Sequence, residues 1–174
     1  MESSYLVLSD IHSNTLALEA VLADAESAGP WDHLICAGDL VGYGWDPNGA
    51  VERLRGLGVA AVQGNHDWAL TSDDDFVMNE DALRAAMENL KTLTEENLAW
   101  LEGLGNRPLV LPDGTVAVVH GSFAHGEDRP EDPYVYTPRD SVEALRALLY
   151  PDDPGSNGRF AKVRVGIVGH SHIQ

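Results

Sequence analysis

The residues of this chain best suited to joint chemistry fall in five short clusters: Asp10-Ile11-His12, Gly38-Asp39, Gly64-Asn65-His66-Asp67, His120-Gly121 and Gly169-His170-Ser171-His172. Seven of their side chains, Asp10, His12, Asp39, Asn65, His120, His170 and His172, are candidate metal ligands. They mix carboxylate, imidazole and amide, with no thiolate. Such a nitrogen and oxygen set suits Mn, Fe, Zn, Ni or Co better than Ca or a soft metal. Two ions could share the set with Asp39 between them, leaving positions for water and substrate oxygens. Paired metals roughly 3.5–4 Å apart clamp the attacking and leaving oxygens of a phosphoryl displacement and bring the pKa of bound water toward neutrality.

His66 has a different place. If Asn65 is a ligand, the adjacent His66 points away from it in an extended segment, because neighbours alternate sides. It could meet the substrate instead, steadying phosphoryl oxygens and donating a proton to the leaving oxygen. Asp67 could orient it, as carboxylates commonly do for working imidazoles. A lone Asp or His at a strand end is most often a cap or a satisfied polar group. Here five of the seven histidines lie in the clusters, and separate bland explanations for each do not combine well. The other two differ: His33 opens a strand and reads as structural or exposed, and His125 lies in an irregular loop.

Each cluster follows an apolar run that reads as a buried strand. These are Tyr5 to Ser9, His33 to Ala37, Val59 to Gln63, Val116 to Val119 and Val163 to Val168. Open α/β sheets bind ligands at the carboxyl ends of their strands, where all five clusters would emerge. Between the first three strands the pattern predicts helices. One is capped at Ser13-Asn14, carries a stripe of Leu16, Ala17, Ala20, Val21 and Ala25, and stops at Gly29-Pro30. The other runs through Val51, Leu54 and Leu57 to Gly58, after a Gly- and aromatic-rich loop from Leu40 to Asn48. This alternation implies a parallel sheet with right-handed crossovers. Caps at Asn79 and Thr94 predict two helices between Asp81 and Leu104. Pro112-Asp113-Gly114-Thr115 between apolar runs signals a hairpin, and hence an antiparallel element in a second sheet. Asp73 to Asp75 reads as a solvated loop or helix start, Ser122 to Pro138 as irregular, and Pro138 to Leu149 as a helix.

A chain of 174 residues is expected to form one domain over 1–174. It carries no run of 18 apolar residues, the length a transmembrane helix needs. The start Met1-Glu2-Ser3-Ser4 lacks a basic n-region, and the single cysteine, Cys36, lies in an apolar run and reads as a core residue. A cytoplasmic location is the expectation. The net charge of −17 disfavours long nucleic acid, which is held through Lys and Arg. It leaves room for a small phosphate ester, because bound cations would set the local field.

Together the clusters resemble the calcineurin-like metallophosphoesterase family. Asp10-Ile-His12, Gly38-Asp39-Leu-Val-Gly-Tyr-Gly44, Gly64-Asn65-His66-Asp67, His120-Gly121-Ser122 and Gly169-His170-Ser-His172 match its motif series in order, over nearly the whole chain. The wording of the first two is most similar to the small prokaryotic phosphodiesterase branch. The resemblance implies a four-layer α/β/β/α sandwich with a dimetal centre at one sheet edge. Asp10, His12, Asp39 and His172 would hold one ion, and Asp39, Asn65, His120 and His170 the other. Hydroxide at the metals would be the nucleophile and His66 the catalytic histidine. The implied activity is hydrolysis of phosphomonoesters or phosphodiesters, often with Mn. Members usually continue past the last motif, whereas Ile173-Gln174 end this sequence, so a shortened second sheet is expected. Trp45, where Pro often follows Gly-Tyr-Gly, and Phe123 after His-Gly-Ser are departures that could shape a substrate rim. The rival reading is a phosphoesterase-like scaffold for protein binding, against which the intact ligand set argues. The expected partner is a small phosphoester, without a membrane, and a homo-oligomer is left open.

Overall fold

The computed structural model describes residues 3–72, 78–105, 107–121, 139 and 160–172. The expectations for Asp73 to Asp75, for His125 and Phe123, and for most of Ser122 to Leu149 lie outside these residues. The first strands are β1 (Tyr5–Leu8), β2 (His33–Cys36) and β3 (Ala60–Ala61). They pair in parallel in the order β1-β2-β3, with Tyr5 opposite His33 and Ile35 opposite Ala60. Helix α1 (Thr15–Ala28) joins β1 to β2, and α2 (Pro47–Gly56) joins β2 to β3. After β3 come α3 (Asn65–Thr71), α4 (Glu80–Thr92) and α5 (Glu95–Leu104). The second sheet holds β4 (Leu109–Val110), β5 (Val116–Val119) and β6 (Val165–Val168). β4 and β5 form the expected antiparallel hairpin, while β5 and β6 run parallel.

The layers follow from the period of two along each strand. In β2, Leu34 and Cys36 face one way, into a core with Leu8 of β1 and with Leu18, Leu22, Val51, Leu54 and Leu101 from the helices. Ile35 faces the other way and joins Ala37 and Val62 against Leu111, just past β4, and Val116 and Val118 of β5. Ala117 and Val119 alternate to the outer face, against Phe160 and Val163. This is an α/β fold whose two small sheets pack face to face, consistent with an α/β/β/α sandwich. Cys36 is fully buried, as expected of a core residue. Among the described residues no helix is long and apolar enough to cross a membrane.

Two local readings need correction. Helix α1 buries Leu18 and Leu22, each contributing roughly 1.5–3 kcal/mol relative to exposure. The expected stripe lies elsewhere: Leu16 is 70% and Val21 47% exposed. The helix is apolar on two faces, and packing on β1 and β2 selects the one four residues apart. The loop after β2 is also shorter than expected, since Pro47 and Asn48 already belong to α2, capped by the Asp46 carboxylate accepting from Gly49 N–H at 3.0 Å. The caps at Asn14, Asn79 and Thr94 are in place, each accepting from the backbone N–H three residues on.

Candidate metal centre

All five clusters leave the carboxyl ends of strands, and the backbone past those ends is itself laced together. Asp10 N–H donates to Gly38 O, His12 N–H to Asp39 O and Ser13 N–H to Leu40 O, at 2.9–3.0 Å. On the second sheet Gly169 N–H donates to His120 O at 2.8 Å. The turns that follow are tight. Asp10, His12, Asp39, His170 and His172 all sit at positive φ, between 50° and 67°. Side chains rarely adopt this region, and such strain persists where the surrounding structure enforces it. Gly64 is required for close approach, because a side chain there would meet the Asp39 carboxylate.

The seven candidate ligands converge on Asp39. Its Oδ2 lies 3.3 Å from His120 Nε2 and 3.7 Å from His12 Nε2, so one oxygen faces both groups. On one side, His12 Nε2 is 3.3 Å from His172 Nε2, which is 3.2 Å from Asp10 Oδ1. On the other, Asn65 Oδ1 is 3.2 Å from His120 Nε2 and 2.8 Å from His170 Nδ1.

The hydrogen bonds behind these rings decide what their front atoms can offer. His12 Nδ1 is 3.2 Å from Val41 O and His120 Nδ1 is 2.7 Å from Ala37 O. A carbonyl can only accept, so both Nδ1 atoms carry the proton and both Nε2 atoms of the neutral rings present a lone pair. Burial pushes the imidazoles of His12, His66 and His170 down, His66 to about 4, against the pull of Asp39. Burial would raise the Asp39 carboxyl, but the facing His120 and then His66 and His12 hold it well below the usual carboxylate range. The Asp39 carboxylate and the Nε2 lone pairs of His12 and His120 therefore face one another without a proton between them. Among the described residues Asp10 Oδ1 is buried with no hydrogen-bond partner. A divalent cation on each side of Asp39 satisfies all of these atoms, so the donor set fits two metals.

His66 stands between the two groups. It forms a close trio with His12 and Asp39, and its backbone N–H donates to Asp39 Oδ1 at 2.8 Å. Asn65 and His66 are the first residues of α3, so about 100° of helical rotation separates their side chains, not the extended alternation expected. Asp67 departs from its expected contact. Its carboxylate accepts from Leu40, Val41 and Gly64 N–H at 2.9–3.2 Å, whereas His66 Nδ1 has no hydrogen-bond partner among the described residues. Three backbone donors outcompete one imidazole, and Asp67 instead ties the start of α3 to the turn after Asp39. Burial and the Asp39 charge raise the Asp67 carboxyl against those amides. His33 is exposed and stacks on Tyr5, away from the cluster.

Asn89 was not anticipated. It is buried on α4, where its Oδ1 accepts from Ser13 Oγ (2.6 Å) and Gly42 N–H (2.7 Å) and its Nδ2 donates to Gly44 O (2.8 Å). Its signal in the sequence is an Asn on the apolar face of α4, beside Ala82 and Ala86.

Two face-packed sheets with paired carboxylate, amide and imidazole donors at one edge define an architecture suited to a dinuclear metal centre. The chain belongs to the calcineurin-like phosphoesterase superfamily, whose domain model matches residues 4–174. It is 33% identical to the uncharacterized protein MJ0912 of Methanocaldococcus jannaschii, over 99% of this chain and 64% of that protein's length. It is similar to the crystal structure of a metallophosphoesterase from Sphaerobacter thermophilus, at 34% identity and a TM-score of 0.67, covering 98% of this chain and 61% of that one. The hypothetical protein PH1004 from Pyrococcus horikoshii OT3 shares the fold, at 17% identity and a TM-score of 0.66, over 83% of this chain and 65% of its own. The chain thus spans just under two thirds of the length of each of these relatives.

Proposed function

We propose that this chain hydrolyses phosphoester bonds with two divalent ions, Mn foremost, as the small prokaryotic phosphodiesterase branch of its family does. The observation that carries the reading is the single Asp39 oxygen facing lone-pair nitrogens of His12 and His120 at once. Asp10, His12, Asp39 and His172 would hold one ion, and Asp39, Asn65, His120 and His170 the other. Bound metals supply a Lewis acid for the phosphoryl oxygens and a water acidic enough to attack phosphorus near neutral pH.

The chain's own groups do the rest. The neutral His66 ring offers one N–H to a phosphoryl or leaving oxygen. A bound phosphate raises its proton affinity, since a nearby negative charge favours the imidazolium. The backbone bond from His66 to Asp39 keeps that ring beside the ion positions. Asp67 holds the same turn from behind. A small phosphoester in the cytoplasm fits a chain of net charge −17, in which metals supply the positive field at the site.

The test is hydrolysis of a chromogenic phosphodiester and its monoester by metal-stripped protein titrated with Mn. Activity should saturate near two ions per chain and fall at least about a hundredfold in Asp39→Asn, since even groups behind metal ligands cost 10–100-fold. Undiminished turnover in that variant, or two bound ions with no turnover, refutes the reading.

A further inference from the structure

Seven non-glycine residues among those described have positive φ. Five are candidate ligands and Ser13 adjoins one; Tyr43, at φ 48°, is neither. A bulky residue in this conformation is an outlier, and such strain concentrates where function uses it. Here the strain is enforced. Gly44 N–H donates to Gly42 O at 2.6 Å across Tyr43, and also to His12 O at 2.9 Å. The buried Asn89 holds Gly42 N–H on one side of Tyr43 and Gly44 O on the other. Gly42 has to be glycine, since a side chain there would run into the His66 ring.

What this strap displays is a phenol ring. It lies edge-on to His12, with centroids 4.9 Å apart, and tilted over His66 at 4.6 Å. Yet Tyr43 is 52% exposed, and Trp45 on the same loop is 70% exposed. A ring placed for burial would be covered. This one is fixed beside His12 and His66, with much of its surface open.

We propose that Tyr43 forms a subsite for a planar aromatic group on the substrate, so that the chain selects phosphoesters bearing a nucleobase or aryl group. The proposal rests on the hydrolase reading above and names the substrate class of that site. On that reading phosphorus would lie by the ion positions beside Asp39, the organic group would leave past His66, and the Tyr43 ring, 4.6 Å from His66, is a surface it would meet. Aromatic pairs prefer offset or edge-to-face contact, which favours a flat ring over an aliphatic group of equal size.

The experiment compares binding of phenylphosphonate and cyclohexylphosphonate to the Mn-loaded full chain by calorimetry. Neither carries a hydrolysable ester, so binding is read apart from turnover. The wild-type chain should bind the phenyl compound roughly fivefold tighter, as aromatic pairing beyond area burial implies. Tyr43→Asn should bring the ratio near one, because Asn tolerates positive φ and leaves the strap in place. Tyr43→Phe should keep the preference. Equal affinities in the wild-type chain, no binding of either compound, or a preference that survives Tyr43→Asn overturns the proposal. Turnover of phenyl and methyl phosphodiesters, measured alongside, separates the two claims. Hydrolysis without a phenyl preference in binding sinks only the subsite, and a phenyl preference without any hydrolysis sinks only the hydrolase.

Discussion

The two halves of the donor set share Asp39 but are not built alike. On the His120 side, the ring is fully buried, its Nδ1 is bound to Ala37 O, and its own carbonyl receives Gly169 N–H. Asn65 is also buried, at the first turn of α3. On the His172 side, that side chain is 57% exposed. Asp10 and His172 line an open cleft of about 440 Å³ between β1 and β6, together with Val7 and Gly169. The first half is thus anchored in the core where the sheets meet, and the second reaches from the buried His12 out to the exposed His172 on the rim. Ligands already ordered by packing lose little entropy when an ion arrives, whereas an exposed side chain must be immobilised. The deep half should therefore hold its ion more tightly than the rim half.

The sharpest way to break this comparison is to remove one histidine from each half. In His120→Ala, the Ala37 carbonyl loses its donor, costing about 1–3 kcal/mol of stability, and the tighter Mn site disappears. In His172→Ala, stability stays within about 0.5 kcal/mol of the original, as for surface substitutions generally, and only the weaker site is lost. Urea unfolding in chelator and calorimetric Mn titration read the two effects separately. Equal losses of affinity and stability in both variants would mean that burial does not set the difference.

The rim and core halves also differ in how much of them the sequence exposes to reading. Strand ends were legible because apolar runs stop at polar clusters, and β1, β2, β5 and β6 each lead into their candidate ligands as spacing implied. The caps at Asn14, Asn79 and Thr94 were legible because a cap is a local event between residues three apart. The face of α1 was not, since apolar residues occupy two sides and only the sheet chooses between Leu18 and Val21. Asp67 was misread for a related reason. A carboxylate next to a histidine suggests a pair, while the competing amides of Leu40 and Val41 come from 26 or more residues away. Asn89 depends on longer-range contacts still, joining α4 to Ser13 across 76 positions.

Asn89 offers the next test, because its contacts lie on the rim side. It grips Ser13, next to His12, and the Gly42 and Gly44 backbone. Asn89→Ala strands a buried N–H and a buried hydroxyl, at a cost of about 1–3 kcal/mol. Loosening His12 from behind should weaken the rim ion by roughly tenfold, within the span seen for supporting groups, and leave the deep ion unchanged. Mn titration of the variant reads both constants. A matching loss at the deep site would show that the halves are coupled more tightly than their separate burial suggests.

The smallest effect lies at the opposite end of the first sheet, where neither ion should feel it. The Asp32 carboxylate accepts from Ser4 N–H at 2.8 Å and Ser4 Oγ at 3.0 Å, tying the approach to β1 to the approach to β2. These bonds, the backbone one first, lower the Asp32 carboxyl from its ordinary 3.8. The folded chain then binds fewer protons here than the unfolded chain, so stability rises with pH across that window. The contribution is complete above the ordinary value and fades as pH falls through the lowered one. Metal-free Asp32→Asn should therefore unfold at slightly lower urea than the original chain at about pH 6, with the gap closing toward about pH 3. Its two Mn affinities should keep their ratio. A gap that ignores pH would assign Asp32 a neutral hydrogen-bonding role. A shifted Mn ratio would show that strain at the donor edge reaches the far end of the strands, and that the contrast between deep and rim ligands belongs to the whole sheet.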